Sequence, residues 1–430
     1  MKTLLKIHGG ELHGGTVTTP GSKNSSLALL AAVCMTSELS TLFNIPYIDD
    51  VKMVYKIFDL IGVEYLITDN KISINPAKIH TSIISENISN KFRASYYFAG
   101  ALINKFKKVT LGYPGGDKIG KRPIDQHFKG FAALGAKITT TTSTYTIEAE
   151  SLHGAEIFFD VKSCGATINI ILAATLAQGK TILHNVATDP EVVDLCILLN
   201  KMGAKIYGAG TDEIIIYGVS SLKGTSHKVI PDRLIAGTFL ILAGMSKYPI
   251  TVKNVIPKHL ESLTLKLNEM GIVTEIYDNS ITAYRTGTLK STSITTGMYP
   301  NFSSDLQQPM TVLLTQANYI SKIRETIYEG RFSHCYELNK MGTNISTNNT
   351  HLALIPGKAK LHGALVYAND IRAGIALVLA GIIAEGTTYI DNVEQIFRGY
   401  EDVTQLFKPL GAEIEVIKVN DLSAVSEMVL

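Results

Sequence analysis

The sequence is poor in the residues and patterns that mark several large classes of protein. Four cysteines, Cys34, Cys164, Cys196 and Cys335, are spread over 430 residues with no CxxC pair and no grouping with histidine at metal-ligand spacing. Neither a disulfide framework nor a zinc centre is indicated, and the thiols read as free in a reducing compartment. Charge of one sign is also missing. Forty Lys and Arg against 38 Asp and Glu leave a formal +2, whereas a dedicated nucleic-acid binder carries a strongly basic face or stripe. The longest apolar run, Ala373–Ala384, has 12 residues, two of them glycine, and a bilayer span needs about 20. The opening MKTLLKIHGGEL has its apolar patch broken by Lys6 and no small-residue cleavage pattern behind it. No secretory signal is expected, and the protein is expected in the cytoplasm. Arginine is scarce: only Arg93, Arg122, Arg233, Arg285, Arg324, Arg331, Arg372 and Arg398. A chain that otherwise uses lysine makes each of these a candidate for a place where a planar, bidentate fork is needed for carboxylate or phosphate.

With 46% hydrophobic residues there is apolar material for two ordinary cores, and single cores rarely grow beyond roughly 250–300 residues. Two domains are expected. Self-similarity sharpens this. A helical stretch ending in an apolar residue, then glycine, then a β-prone run recurs six times, at Gly62, Gly135, Gly203, Gly271, Gly342 and Gly411, spaced by 73, 68, 68, 71 and 69 residues. Each glycine fits the left-handed position that closes a helix. Upstream, β-prone segments close on Asn44, Asn185, Asn254 and Asn392, which is strand chemistry followed by a turn residue. Before them lie small-residue apolar stretches, such as NSSLALLAAVCM and ATINIILAATLA, that suit helices buried on most sides. One unit of about 70 residues therefore reads helix, strand, helix ending in glycine, strand pair. Units of this length exceed the familiar solenoid repeats, so a globular, barrel-like arrangement of three units per domain is expected. The segment VNDLSAVSEMVL, 419–430, falls outside the last unit.

Cationic and glycine-rich segments suggest an anionic ligand. GYPGGDKIGKRP, 112–123, is one letter short of a phosphate-binding P-loop, but the strand before it is short and Pro123 interrupts a following helix. It reads instead as a flexible loop able to act as a lid over an anion. Lys23 and Asn24, in PGSKNSS, precede a buried helix, and a lysine at a helix start is unfavourable unless an anion is held there. Arg93, Arg331, Arg372 and Arg398 stand beside turn-like or helix-starting residues, and Asp305 lies in the polar turn NFSSDLQQP. Together they indicate a ligand with several negative charges.

GSKNSS, FRAS, PGGDKIGKRPIDQH, SCGAT, DPEVVD, PDRLIAGTF, SSDLQQP, YEGRFSH, NDIRAG and FRGYE follow one another in the order of a known family. Over residues 1 to about 418 the chain resembles the enolpyruvyl transferases that act on UDP-N-acetylglucosamine in peptidoglycan precursor synthesis. The resemblance implies an α/β fold of two inside-out α/β barrels, each of three βαβαββ units, with residues 1–21 plus 231–430 in one and 22–230, carrying the 112–123 loop, in the other. It implies transfer of the enolpyruvyl group of phosphoenolpyruvate to a sugar hydroxyl with release of phosphate. Such chemistry needs cations for phosphate and carboxylate, a base for the hydroxyl, an acid for carbon and exclusion of water. Carried over by motif, Lys23, Arg122 and Arg398 would hold phosphoenolpyruvate with Arg93 assisting, and Asp305 would orient or deprotonate the hydroxyl. Asn24 would touch the sugar. Arg122, Pro123, Ile124, Asp125, Gln126 and His127, with Ser163, Cys164 and Gly165, would line the uridine diphosphate. Ile327, Arg331 and Arg372 complete the expected substrate-binding set. No metal, organic cofactor, nucleic-acid or membrane partner is implied, and oligomeric state is left open.

The chain also departs from the family pattern. Asp117 stands where the loop usually carries a cysteine, so Asp117 is expected to serve as general acid and the protein to resist fosfomycin, which alkylates that cysteine. A carboxyl can replace a thiol as proton donor only where burial or like charge favours its protonated form. Val161, Lys162, Ile235, Gln126, Ser304 and Phe397 occupy further positions where other residues are usual. These changes cluster nearer the nucleotide-sugar than the transferred group. They leave open a paralogue with a different nucleotide or sugar acceptor, or a catalytically silent UDP-sugar binder.

Overall fold

The computed structural model describes residues 1–420; residues 421–430 of the terminal segment lie outside the described residues. Among the described residues there are six four-stranded sheets, all with the same internal order. In the unit of Gly203, for example, Glu156–Phe158 runs parallel to Lys180–His184, which pairs antiparallel with Glu213–Tyr217, which in turn pairs antiparallel with Lys205–Tyr207. The helix Cys164–Thr175 links the first two strands, and Pro190–Lys201 precedes the hairpin. Each sheet thus has the βαβαββ arrangement, three of them with a strand drawn from elsewhere in the chain: Ser226–Lys228 pairs with Ser40–Phe43, Gly15–Thr18 with Ile250–Lys253, and Lys2–His8 with Thr387–Asp391 and Glu413–Val419. The short first strand, two to four residues long in every unit, is the element that the glycine and asparagine pattern does not reveal.

Local chemistry explains the regularity. All six spaced glycines adopt positive φ, from 84° to 103°, a conformation nearly free for glycine and costly for residues with a Cβ. Asn44, Asn185, Asn254 and Asn392 also lie in the left-handed region, at φ 63°, 56°, 55° and 58°. Their side-chain amides donate to Val229, Phe159, Thr19 and Ala368 carbonyls at 2.6–3.0 Å. Each asparagine therefore turns the chain after the second strand and ties it to the end of the first. The corresponding turns after Lys108–Gly112 and Ser321–Arg324 are different, and they open into the 112–123 loop and the segment 325–332.

The chain divides into two compact units, residues 1–20 with 117–121 and 231–430, and residues 21–116 with 122–230. In the second, the helices Lys23–Ala32, Tyr97–Phe106 and Cys164–Thr175 are almost wholly buried among three sheets. Small residues let them approach: a Cβ at Gly100 would run into the Asn169 carbonyl. In the first, Arg233–Ala243, Gln307–Thr315 and Ile371–Ile383 hold the same place in a separate core. This unit is closed by the amino terminus, because Lys2–His8 pairs antiparallel with both Thr387–Asp391 and Glu413–Val419.

The 112–123 loop is not carried whole by one unit, as the resemblance implied. Residues 117–121 cluster with the first unit. Gly330 N–H donates to the Ile119 carbonyl at 3.0 Å, Lys121 N–H donates to Glu329 Oε1 at 2.8 Å, and Arg398 pairs with Asp117. Among the described residues no helix is long and apolar enough to cross a membrane.

Candidate active site

In the unit of residues 21–116 and 122–230, Lys23 is the first residue of its helix and is buried, with Nζ 2.8 Å from Asp50 Oδ2. The anion that a lysine at a helix start calls for is thus supplied by Asp50, from the first turn of Asp49–Ile61. Burying both charges is tolerable because they are paired. Asn24, beside it, is half-buried.

The glycines of the PGG turn bring two arginines together. A Cβ at Gly115 would overlap the Asn90 carbonyl, and Gly116 has φ 111°, so neither position accepts another residue easily. A Cβ at Gly116 would sit 3.4 Å from Arg93 Cβ and 3.7 Å from Arg122 Nη1. Arg93 Nη2 donates to the Arg122 carbonyl at 2.6 Å, and its guanidinium lies 5.5 Å from the centre of the Tyr96 ring.

Next come Pro123, Ile124, and the helix Asp125–Ala133. Gln126 and His127 in its first turn are buried, whereas Asp125 is exposed. Asn169 Oδ1 accepts the Gly100 N–H at 2.8 Å, so Asn169 Nδ2 is the atom that faces His127 Nδ1 at 3.0 Å. His127 Nδ1 therefore accepts, and the ring proton resides on Nε2. Burial, then the Arg93 charge, pushes the imidazole down to about 3, so it is a neutral donor at neutral pH. Ser163 caps the helix Cys164–Thr175 by accepting from Ala166 N–H at 3.2 Å. Cys164 is half-buried. A Cβ on Gly165 would strike the Tyr96 hydroxyl and approach His127 Nε2 to 3.3 Å. RPIDQH and SCGAT are thereby in contact.

In the other unit, Asp305 pairs with Arg331 Nη2 and, at 3.2 Å, with Arg372 Nε. Both guanidinium groups are buried. Burial opposes their charge, but Asp305 and other neighbours more than offset this and hold both above the ordinary arginine value. Asp370 caps the helix Ile371–Ile383 through Arg372 and Ala373 N–H, and its Oδ2 is buried without a hydrogen-bond partner. Burial raises its pKa, opposed by Arg331 and reinforced by Asp117. Ile327 is half-buried, its N–H donating to Glu325 Oε1 at 2.8 Å. Arg398 Nη1 donates to Asp117 and, at 2.9 Å, to Gln395 Oε1. These three arginines, Arg331, Arg372 and Arg398, lie in one unit with Asp305, Asp370 and Asp117, and an anionic ligand would compete with carboxylates for them.

Residues 7–407 match the family model described as EPSP synthase (3-phosphoshikimate 1-carboxyvinyltransferase). The UDP-N-acetylglucosamine 1-carboxyvinyltransferase of Clostridium botulinum is 47% identical over 412 residues, covering 95% of this chain and 99% of that one. The chain belongs to this transferase family. The UDP-N-acetylglucosamine 1-carboxyvinyltransferase 2 of Geobacillus kaustophilus is 45% identical over 417 residues, 97% of each chain. Among solved structures, the enolpyruvyl transferase NikO from Streptomyces tendae superposes with a TM-score of 0.88 at 23% identity, covering 97% of this chain and 99% of that one. EPSP synthase from Acinetobacter baumannii gives 0.74 at 19%, covering 97% and 100%. The fold is therefore that of the enolpyruvyl transferases.

The departures from the family pattern have local partners. Ser304 Oγ donates to Glu325 Oε2 at 2.9 Å, Gln126 bonds to Asp160, and Ile235 is buried in the core. Val161 is exposed, while Lys162 and Phe397 are half-buried; nothing in the structure explains these three. Sequence reasoning missed Asp50, Asp160, Glu325, Glu329 and Asp370. Only Asp370 carried a readable signal, an aspartate just ahead of an apolar helical run.

Proposed function

We propose that this protein transfers the enolpyruvyl group of phosphoenolpyruvate to the 3-hydroxyl of UDP-N-acetylglucosamine, releasing phosphate, in peptidoglycan precursor synthesis. The reading is carried by 45–47% identity over nearly the whole chain to transferases of that name. The sugar oxygen gives up its proton and bonds to C2 of phosphoenolpyruvate as C3 takes a proton. Loss of a C3 proton and cleavage of the C2–O bond then expel phosphate. Lys23, Arg93, Arg122 and Arg398 hold the phosphate and carboxylate, Asn24 meets the sugar, and Asp305 orients or deprotonates its hydroxyl. Arg331 and Arg372 fix the Asp305 carboxylate in direction. Residues 122–127 and 163–165, with Ile327, line the nucleotide-sugar.

Asp117 is the general acid in this scheme. Paired with Arg398 it is an acceptor and cannot donate. A bound phosphate competes with Asp117 for Arg398 and so releases the carboxyl from that pairing. Phosphate release from phosphoenolpyruvate, measured across a panel of UDP-sugars and free nucleotides, tests the reading. Release with UDP-N-acetylglucosamine alone is expected; release only with another acceptor, or with none, contradicts it.

A further inference from the structure

Gln126 departs from the family pattern in a segment expected to touch nucleotide, yet its side chain is turned to protein. It is 6% exposed, its Oε1 accepts the Asp160 N–H at 2.9 Å, and its Nε2 donates to Asp160 Oδ2 at 3.2 Å and Asp125 Oδ2 at 2.8 Å. One amide thus satisfies both the backbone and the carboxylate of Asp160, 34 residues away. Lys129 Nζ takes the other carboxylate oxygen at 2.7 Å, and the Lys129 and then the Gln126 hydrogen bonds hold the Asp160 carboxyl below its ordinary value. Asp160 stands three residues before Ser163, which is followed by Cys164 and Gly165. The next residue along the first helix, His127, is joined to Asn169 within the second. Two successive residues of RPIDQH therefore grip the segment before SCGAT and the helix that follows it.

We infer that Gln126 is a positioning residue for the nucleotide-sugar, acting through Asp160 to fix the 122–127 and 160–165 segments relative to one another. The inference rests on the proposed function for the identity of the ligand, but the clamp can be read without it. A glutamate at position 126 keeps the shape, loses the Nε2 donors and faces the carboxylates of Asp160 and Asp125. An asparagine at position 160 restores a donor toward that glutamate, while the backbone N–H is unchanged.

The experiment compares wild type, Gln126→Glu, Asp160→Asn and the double variant. In Gln126→Glu, hydrogen exchange at residues 159–163 of the ligand-free protein is expected to quicken. KM for UDP-N-acetylglucosamine should rise about tenfold, the loss of a hydrogen bond to a charged group, with kcat and the KM for phosphoenolpyruvate within about twofold. Adding Asp160→Asn should recover most of the protection and of the KM. Unchanged exchange in Gln126→Glu, an equal rise in both KM values, or no recovery in the double variant would overturn the inference. A wild-type protein inert with UDP-N-acetylglucosamine sinks the proposed function instead, and the exchange comparison still decides whether the clamp exists.

Discussion

Arg398 donates a hydrogen bond to Asp117 across 281 residues of sequence, so the loop carboxylate and a cation expected to hold substrate are partners of one another. Both side chains are largely buried, at 17% and 14% exposure. If Asp117 delivers the proton to carbon, Asp117→Asn, which keeps the size and loses the proton, should lower turnover on the order of 10²-fold or more. Phosphate-release kinetics at saturating substrates are the check, and near-normal turnover would remove Asp117 from the acid role.

The loop contains no thiol, and three of the four cysteines are poor substitutes. Burial raises the pKa of the Cys34 and Cys335 thiols and pushes Cys196 up to about 12, which leaves almost no thiolate to attack an electrophile. Cys164 is half-buried. Prolonged exposure to fosfomycin should leave the intact mass and the activity unchanged. A covalent adduct seen by mass spectrometry would contradict this.

Glu329 holds the loop from the other side. Its Oε1 accepts from Lys121 N–H, and a Cβ on Gly120 would collide with its carboxylate. The Lys121 N–H bond, first among several causes that include the Lys121 and His351 charges, holds the Glu329 carboxyl below its ordinary value of 4.5. The latch is therefore fully engaged above that value and weakens as pH falls through the lower, folded-state value. Glu329→Ala should speed hydrogen exchange at residues 117–121 at neutral pH. The wild-type segment should loosen only in acid; equal protection in both proteins at pH 7 would rule the latch out.

Two buried histidines set a second acid dependence. Burial first, then Arg93 for His127 and Arg331 for His334, pushes both imidazoles from 6.5 to about 3. Folding thus favours the neutral rings: their contribution is complete above pH 6.5 and is lost as pH falls from there towards 3. Unfolding free energy from urea titrations should decline over that interval. The decline should be shallower in a His127→Gln, His334→Gln double variant, and an identical slope in the two proteins would count against the assignment.

The repeat was legible because its punctuation is local. A glycine at the left-handed close of a helix and an asparagine at the left-handed end of a strand are each demanded by backbone torsion within a few residues, so they mark the chain at intervals of about 70 residues. The first strand of each unit was not legible: two to four residues carry too little alternation to register. Motifs singled out Lys23, Arg93, Arg122, Asp305, Arg331, Arg372 and Arg398 as candidates, but not what holds them. Asp50, Glu329 and Asp160 look in sequence like ordinary surface acids, and their partners lie 27, 208 and 34 positions away or come from another element altogether. Gln126 and Ser304 read as lost family residues. In the structure they are hydrogen-bonding groups with Asp160 and Glu325 as counterparts, a relationship that exists only after folding.

The strand Lys2–His8, seated between Thr387–Asp391 and Glu413–Val419, has a consequence for biosynthesis. Residues 2–8 leave the ribosome long before the segments they pair with. Residues 21–230 contain nearly everything their own core needs and can consolidate while the rest is still being made. The opening strand must wait, extended and unpaired, until about 410 residues have followed it; domains completed during synthesis fold as units. A nascent chain halted just short of residue 413 should therefore hold one finished unit and one that is still open at its seam.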